Sequence, residues 1–218
     1  MNRVVACGLA LCLCLGTQAA FAQGLLGKPS VTAQYLLFRA GDDFDGFDTD
    51  LGHGGRLQVS IPVIVPDSEA AWGAGLDGFG TFSGLGLEVR NPAFPDLPAD
   101  VTFWGGDLGA NFYTRVTEHI RPFAQLGINW TRSEAQISGG PRLQETETNL
   151  ILAAGVEFDV FSSTAVRASY GRGGDGFGHT AFLGELIVHP ADHWFGRISA
   201  SVGNDKTVIG GFGLGYAW

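Results

Sequence analysis

The sequence predicts an all-β protein, namely a closed, antiparallel, up-and-down β-barrel of about ten strands that crosses a membrane. Three observations lead to this fold class. Apolar and polar side chains alternate with a two-residue period along the chain, while helical spacing is nearly absent. The alternating segments run about 9–15 residues, which suits tilted membrane-crossing strands better than the usual globular strand. Their connections alternate between short turns and longer loops.

The start of the chain has the pattern of a secretory signal peptide. Arg3 supplies a positive charge, Val4 to Leu15 form a short apolar stretch, and Ala20-Phe21-Ala22 matches a cleavage site. We therefore expect residues 1–22 to be removed and residues 23–218 to form one barrel domain. The chain's three cysteines all lie in this leader: Cys7, Cys12 and Cys14. The mature chain is thus expected to have no disulfide framework.

Composition narrows the function classes. The formal net charge of −9 argues against nucleic acid as a partner. Glycine is frequent, at 34 of 218 residues, without a collagen period. After residue 22 no apolar run reaches the roughly 18 residues that a membrane-spanning helix needs, so strands must do any crossing.

Ten segments alternate clearly enough to be predicted as strands, and eight is the alternative if the short segments are misread. The predicted strands are 30–40, 54–64, 70–82, 101–115, 121–134, 148–160, 164–172, 179–188, 194–202 and 207–218. Short turns are predicted at 65–69, 116–120, 161–163 and 189–193, and longer loops at 41–53, 83–100, 135–147, 173–178 and 203–206. Short turns on one rim and longer loops on the other are typical of an outer-membrane barrel.

The polar side of each strand carries charges that meet when the hairpins are folded about their turns. Turns near Pro66, at Ser162 and at Ala191 bring together Arg56 with Asp77, Glu157 with Arg167, and Glu185 with Arg197. Opposite charges across strands satisfy one another inside a narrow lumen. We therefore expect these charges to face inward and the lumen to be narrow or plugged. The alternative is solvated ion pairs on the surface of a soluble sandwich.

Tryptophans lie near the ends of the predicted strands. Trp104 and Trp130 fall toward the long-loop rim, and Trp72 and Trp194 fall toward the short-turn rim. Amphipathic rings favour the headgroup level of a bilayer, so these residues are predicted to form two interface belts. A turn centred on Glu118 would place Gly106 opposite Trp130, with the indole over bare backbone.

Several short motifs carry a resemblance to a known family. They are the leader ending Ala20-Phe21-Ala22, Arg121-Pro-Phe-Ala-Gln-Leu-Gly127, Gly155-Val-Glu-Phe158, and the terminal Phe212-x-Leu214-x-Tyr216-x-Trp218. With these the chain resembles the small bacterial outer-membrane β-barrel proteins. The resemblance implies a monomer in the cell outer membrane, surrounded by outer-membrane lipids.

The resemblance also assigns a role to the last strand. In that family the terminal strand ends in an aromatic residue and is read by the outer-membrane assembly machinery. Carried over, Phe212, Leu214, Tyr216 and Trp218 are expected to be an assembly signal as well as a lipid-facing surface. The departure is Trp218, because phenylalanine is the usual terminal residue.

Candidate chemistry is sparse, and we expect no catalytic, cofactor or metal site. His53, His179 and Ser83 could serve a barrel-embedded hydrolase acting on lipid or peptide, but no motif connects them. The acidic loop 41–50 could hold a divalent cation, although it lacks the bidentate glutamate of a calcium-binding hand.

The expected function is an integral outer-membrane barrel with a structural role or with interactions made through its loops. Two alternatives within the membrane are the hydrolase and a small-solute channel. A third alternative is a soluble periplasmic barrel that binds an apolar ligand.

Overall fold

Ten long strands and one two-residue strand make up the computed structural model, which describes residues 25–41, 46–66, 73–92, 94–137, 140, 142–172 and 180–218. The strands are β1 (Ser30–Arg39), β2 (Asp48–Thr49), β3 (Gly52–Ile64), β4 (Gly73–Asn91), β5 (Phe94–Arg115), β6 (Ile120–Ile137), β7 (Arg142–Phe161), β8 (Thr164–Arg172), β9 (Thr180–Val188), β10 (Trp194–Gly203) and β11 (Val208–Ala217). No helix long and apolar enough to cross a membrane occurs within these ranges.

The sheet closes on itself. Each long strand pairs antiparallel with its neighbours in the chain, and β11 pairs with β1 from Ser30↔Ala217 to Arg39↔Val208. The two-residue strand β2 adds to the free side of β4. The prediction of a closed antiparallel barrel is therefore confirmed, with ten long strands rather than eight.

Side chains in the lower and middle barrel face the way the alternation predicts. Inward Asp77 and Glu157 are fully buried, and inward Arg197 is 4% exposed. Outward Leu108 and Leu214 are 65% and 66% exposed. A protein in water would not leave such leucines on its surface and bury its charges, so this outer face requires an apolar solvent.

Higher up the strands, the inward face becomes apolar and the outward face becomes polar. Along β4, inward Asp77 and Thr81 give way to inward Leu85 and Leu87, which are buried, while Glu88 lies on the outward face. Apolar residues turn inward because the outward face there meets water rather than lipid. This exchange marks where the strand leaves the membrane.

Strands β4 to β7 continue well past the others, with lengths of 19, 22, 18 and 20 residues against 9 to 13 for the other long strands. The prediction of loops at 83–100 and 135–147 was wrong. Only residues 92–93 separate β4 from β5, and only 138–141 separate β6 from β7. The sequence did not predict these strand segments, because a strand outside the membrane needs no apolar outward face and so need not show the alternating pattern. We call this four-stranded projection the extension.

Some predictions fall outside the described residues. The leader 1–22, residues 42–45 of the acidic loop, Trp72 and His179 all lie there. The predictions made for them stay predictions.

Candidate functional site: the lumen and its two rims

The segment at residues 25–28 lies across the inner mouth of the barrel, at the short-turn rim. The backbone N–H groups of Leu25 and Leu26 donate to Glu157 Oε2 and Oε1 at 3.3 and 3.4 Å. Gly27 N–H donates to Asp77 Oδ2 at 2.8 Å. Two buried carboxylates thus hold three successive amides, an arrangement with no sequence motif and one that sequence analysis missed.

Apolar packing reinforces this contact. Leu25 and Leu26 are both buried. Leu25 packs against Ala165, Ile187, Phe195 and Ala217, and Leu26 packs against Tyr113 and Phe123. Tyr113 and Phe195 pack closely against the backbone of glycines, since a Cβ on Gly75 or Gly215 would come within 2.1 Å of their rings. We call residues 25–28, held in this way, the inner plug.

A chain of ion pairs crosses the lumen above the inner plug. Arg121 joins two carboxylates, with Nε donating to Glu157 Oε1 at 3.0 Å and Nη2 to Asp159 Oδ1 at 2.5 Å. Arg167 lies between Glu157 and Glu185, with N–O distances of 4.0 and 3.8 Å. Its guanidinium also lies over the Phe123 ring, at 4.3 Å from the centroid.

The same chain continues to the opposite wall. Arg197 Nε donates to Glu185 Oε1 at 3.0 Å, and Arg197 Nη1 donates to Gln58 Oε1 at 2.7 Å. These charges alternate in sign and come from strands β6 to β10. We call them the ion-pair chain: Asp159, Arg121, Glu157, Arg167, Glu185 and Arg197. Alternation lets each buried charge compensate its neighbours, which offsets the cost of burying charges.

A smaller polar group fills the wall beside it. Asp107 accepts hydrogen bonds from Asn129 Nδ2 at 2.6 Å and from Thr81 Oγ1 at 2.8 Å. The space left between this group and the ion-pair chain is a cavity of about 40 Å³, lined by Arg56 among others. That volume holds a few water molecules at most.

Two of the three predicted charge pairs meet. Glu157 lies directly opposite Arg167, as predicted from a turn at Ser162. Glu185 and Arg197 also bond, but diagonally, because Arg197 lies opposite Ile187 and Glu185 opposite Ser199. The turn between β9 and β10 is centred one residue later than predicted, on Asp192. Both side chains still share the inward face, so the pair survives the shift.

The third pair, Arg56 with Asp77, was wrong. Arg56 lies opposite Ser83 and Asp77 opposite Pro62, so about six residues, or roughly 20 Å, separate them along the sheet. The turn was placed too early: β3 ends at Ile64 as predicted, but β4 begins at Gly73 rather than at residue 70. Asp77 instead accepts the Gly27 N–H of the inner plug.

The outer end of the lumen is apolar on one side. Leu36, Phe38, Leu85, Leu87, Val89 and Ile209 form a buried cluster on β1, β4 and β11, against which Val101 and Phe103 of β5 pack. These are the side chains that turn inward where the strands leave the membrane. We call this group the outer apolar cluster.

Aromatic rings gather at two levels of the outer surface. At the short-turn rim Trp194 meets Tyr216 edge-on at 5.3 Å, and Tyr216 stacks on Trp218 at 6.1 Å. On the other side Trp104 meets Trp130 edge-on at 5.5 Å. Trp104 lies about 11 residues above the end of β5, or roughly 25–30 Å, close to the apolar height of an outer-membrane barrel. Each ring group lies at a level that suits a membrane interface.

The extension places these upper tryptophans in the middle of their strands rather than at the ends. The register Gly106↔Trp130 is as predicted, and the indole lies over Gly106, where a Cβ would be 3.2 Å from Nε1. Arg132, just above, has its guanidinium 5.3 Å from the centre of the Trp104 ring.

The terminal strand presents its bulky side chains outward. Phe212, Leu214 and Trp218 are all more than half exposed, and Tyr216 is half-buried among the other rings. Its backbone is fully used in pairing with β1 and β10. Recognition of this strand by the assembly machinery stays a prediction.

Above the upper tryptophans, charges lie on the outward surface of the extension. Arg132 and Arg142 both contact Glu134, at 2.9 Å in the case of Arg132. The hydrogen bond from Arg142 is the main cause of a lowered pKa for Glu134. Glu88 and Asp50 raise the pKa of Arg90 on β4. These pairs lie in water and fix the side chains rather than supplying much stability.

The residues considered for catalysis do not come together. His53 stacks on Tyr35 at the outer surface, with centroids 6.3 Å apart. Ser83 is buried and faces the lumen opposite Arg56. A base outside the wall cannot activate a hydroxyl inside it. Within the described residues no group of three or more His, Cys, Asp or Glu side chains is arranged to hold a metal ion.

Comparison with known proteins agrees with this architecture. A family model described as "Outer membrane protein beta-barrel domain" matches residues 8–217. No curated protein matches the chain.

Several solved structures are similar to the chain at low identity, and the first of the three below supports the barrel fold. The transport unit of the autotransporter AIDA-I from Escherichia coli is 9% identical, with 100% of this chain and 98% of that chain covered and a TM-score of 0.53. The attachment invasion locus protein Ail of Yersinia pestis is 17% identical, with coverage of 88% and 97% and a TM-score of 0.41. Omp33 of Acinetobacter baumannii is 12% identical, with coverage of 90% and 100% and a TM-score of 0.38.

The family match spans nearly the whole chain, and the structure has the outward apolar surface and inward charges that a bilayer demands. The chain therefore belongs to the bacterial outer membrane protein beta-barrel domain family and is a protein of the cell outer membrane.

Proposed function

We propose that this protein is a monomeric outer-membrane barrel whose lumen is closed to solutes, and that its role is structural or is carried by the parts outside the membrane. The ion-pair chain is the observation that carries this proposal. Six charged side chains from strands β6 to β10 lie across the lumen and leave a gap of about 40 Å³ beside them. A hydrated ion cannot cross such a layer without breaking buried pairs.

Two further layers support closure. The inner plug lies across the mouth at the short-turn rim, where its leucines pack into two buried clusters. The outer apolar cluster fills part of the opposite end. A solute would have to displace peptide, charge pairs and apolar side chains in turn.

Conductance across a planar lipid bilayer tests the proposal. The purified protein should give no single-channel steps in molar KCl. A variant that lacks residues 25–28 and carries Arg167→Ala, Glu185→Ala and Arg197→Ala removes the inner plug and empties the middle of the lumen. It should conduct, provided that it still shows heat-modifiable migration on gels. Reproducible steps from the unmodified barrel would overturn the closed lumen whatever the variant does.

We also propose that the protein has no catalytic activity, and the separation of His53 from Ser83 by the barrel wall supports this. The hydrolase alternative predicts a rim site that uses His53 or His179. Outer-membrane vesicles carrying the protein should modify lipid and cleave peptide no faster than vesicles without it. An activity that His53→Ala or His179→Ala abolishes would establish the hydrolase instead.

A further inference from the structure

Outside the membrane, one edge of strand β7 has no partner strand among the described residues. Its pairing with β8 begins at Leu152↔Arg172, and among the described residues no strand lies on that side of β7 above this point. On its other side β7 pairs with β6 as far as Gln136↔Arg142. Residues 142–149 therefore lie in a well-formed strand with one open side, and we call them the β7 edge.

The β7 edge is long enough to receive another strand. Eight residues span about 26 Å, and roughly half of them turn both N–H and C=O to the open side. The lower end is defined by Arg172, whose Nη2 donates to Asn149 Oδ1 at 2.9 Å where β8 stops. Trp130 lies opposite Thr148, so nearly all of the edge is above the upper interface aromatics.

On the opposite side of the extension, the edge of β4 is covered by another strand, in contrast to the β7 edge. There β2 pairs with β4 through Asp48↔Arg90 and Thr49↔Val89, and Asp50 N–H donates to Glu88 O at 3.1 Å. A segment of the chain's own first loop thus covers the β4 side. The β7 side has no equivalent cover among the described residues.

The β7 edge also lacks the usual devices that prevent strand addition. It has no proline, no lysine and no register shift, and its side chains from 142 to 148 are exposed on both faces. Thr146 and Thr148 favour an extended backbone. Its charges are Arg142, which pairs with Glu134 of β6, and Glu145 and Glu147. The two glutamates share one face and lie opposite Ser133 and Thr131 rather than cations.

We propose that the β7 edge binds an extended segment of a partner protein as an added strand, and that this segment carries lysine or arginine at alternate positions. Backbone hydrogen bonds supply the attachment, as in other cases of strand addition. Residues two apart on the added strand share a face, so alternate basic side chains reach Glu145 and Glu147 together. The inference rests on the proposed function, since it names the external surface through which a closed barrel acts.

A second copy of the chain fits this edge poorly. Antiparallel self-pairing centred on Thr146 would set Glu145 opposite Glu147 twice, and like charges directly opposite destabilise a sheet. The whole chain also carries a formal charge of −9, which repels a second copy. Both features favour a basic partner.

A binding experiment with defined peptides tests the proposal. The probe is a fluorescent eight-residue peptide of alternating lysine and threonine, added to the full barrel in zwitterionic lipid nanodiscs. A second peptide has the same sequence with alternate backbone amides N-methylated, which keeps the charge and removes hydrogen-bond donors. Hydrogen exchange of the barrel amides is followed with and without each peptide.

Two variants separate the edge from general acidity. Glu145→Gln with Glu147→Gln removes the proposed charge partners, and should weaken binding of the lysine peptide about tenfold. Glu118→Gln with Asp192→Asn removes the same charge from exposed turns at the other rim, and should leave binding unchanged.

The expected result is slowed exchange within residues 142–149 with the lysine peptide alone. Equal binding of the N-methylated peptide, equal loss in both variants, or exchange unchanged at the β7 edge would each overturn strand addition. None of these outcomes depends on conductance, so the proposal of a closed lumen and the proposal of strand addition at the β7 edge can be contradicted independently.

Discussion

Glu157 receives more lumen contacts than any other single carboxylate described. It accepts the N–H groups of Leu25 and Leu26 and the Arg121 guanidinium, and it lies 4.0 Å from Arg167. The side chain is fully buried. Such a group is costly to desolvate and still more costly to remove alone, because its partners remain buried without compensation.

Replacing Glu157 with glutamine should therefore lower the free energy of unfolding by about 3–5 kcal/mol. The measurement is urea unfolding of the barrel in lipid vesicles. Glu118→Gln, on an exposed turn, is the matched control and should change stability by less than about 0.5 kcal/mol. A loss below about 1 kcal/mol for Glu157→Gln would contradict the description of Glu157 as a buried partner of Arg121 and Arg167.

His189 offers a pH-dependent signal in the turn after β9. Burial is the main cause that lowers its pKa from 6.5 to about 4, with the positive charge of Lys28 contributing. Its ring packs against Phe195 at 5.6 Å, beneath the inner plug. The imidazole is therefore neutral at neutral pH and stays neutral well into the acidic range.

The sign of the stability effect follows from the lowered pKa. Between pH 6.5 and about 4 the unfolded chain binds a proton at His189 that the folded chain excludes. This contribution to stability is complete above pH 6.5 and is lost as the pH falls toward 4. An NMR titration should place the His189 midpoint near pH 4, and His189→Asn should flatten this part of the stability curve. A midpoint near 6.5 would show that the ring is solvated.

At the scale of the element, the inner plug depends on charged acceptors for its backbone amides. Gly27 N–H donates to Asp77, and Asp77→Asn replaces a charged acceptor by a neutral one. Charged hydrogen bonds are roughly twice as strong as neutral ones, so the Gly27 amide should exchange about tenfold faster. Asp107→Asn, higher in the lumen, should leave Gly27 unchanged. Equal exchange in both variants would remove Asp77 as the anchor.

How far the elements could be predicted from sequence depends on their solvent. Within the membrane, lipid outside and charge inside impose strict alternation, and strands such as 164–172 were predicted with their observed bounds. Outside it, both faces of β7 from 142 to 147 meet water, so no alternation marks the strand, and these residues were predicted as part of a loop. The two-residue alternation of side chains arises where the two faces of a strand meet different surroundings, and it disappears where both faces meet water.

The candidate site was likewise predictable from the sequence only in part. The pair Glu157 with Arg167 was predictable because the connection between β7 and β8 is short, and a register shift between Asp159 and Phe161 keeps the pairing centred on Ser162. Arg56 with Asp77 failed because the length of the connection between β3 and β4 could not be read from sequence. The inner plug uses backbone amides, which every residue possesses, so no side-chain pattern could reveal it.

At the scale of the whole molecule, the membrane part of the barrel reverses the arrangement of a water-soluble protein, with apolar side chains outside and charged side chains inside. Lipid draws the leucines and aromatics outward, and the charges that remain inside must satisfy one another because little water fits between them. Above the membrane the preference reverses, and the outer apolar cluster resembles the core of a soluble protein. The functional surface is then expected outside the membrane, on the extension.

The most direct test of this inversion is lipid accessibility along β10. The chain's three cysteines all lie at or before residue 14, so a nitroxide can be placed on single cysteines at positions 198 to 202 of leader-free protein. Oxygen dissolved in the bilayer should relax the labels at 198, 200 and 202 strongly and those at 199 and 201 weakly. Maxima at 199 and 201, or equal relaxation at all five positions, would contradict an apolar exterior around a charged lumen.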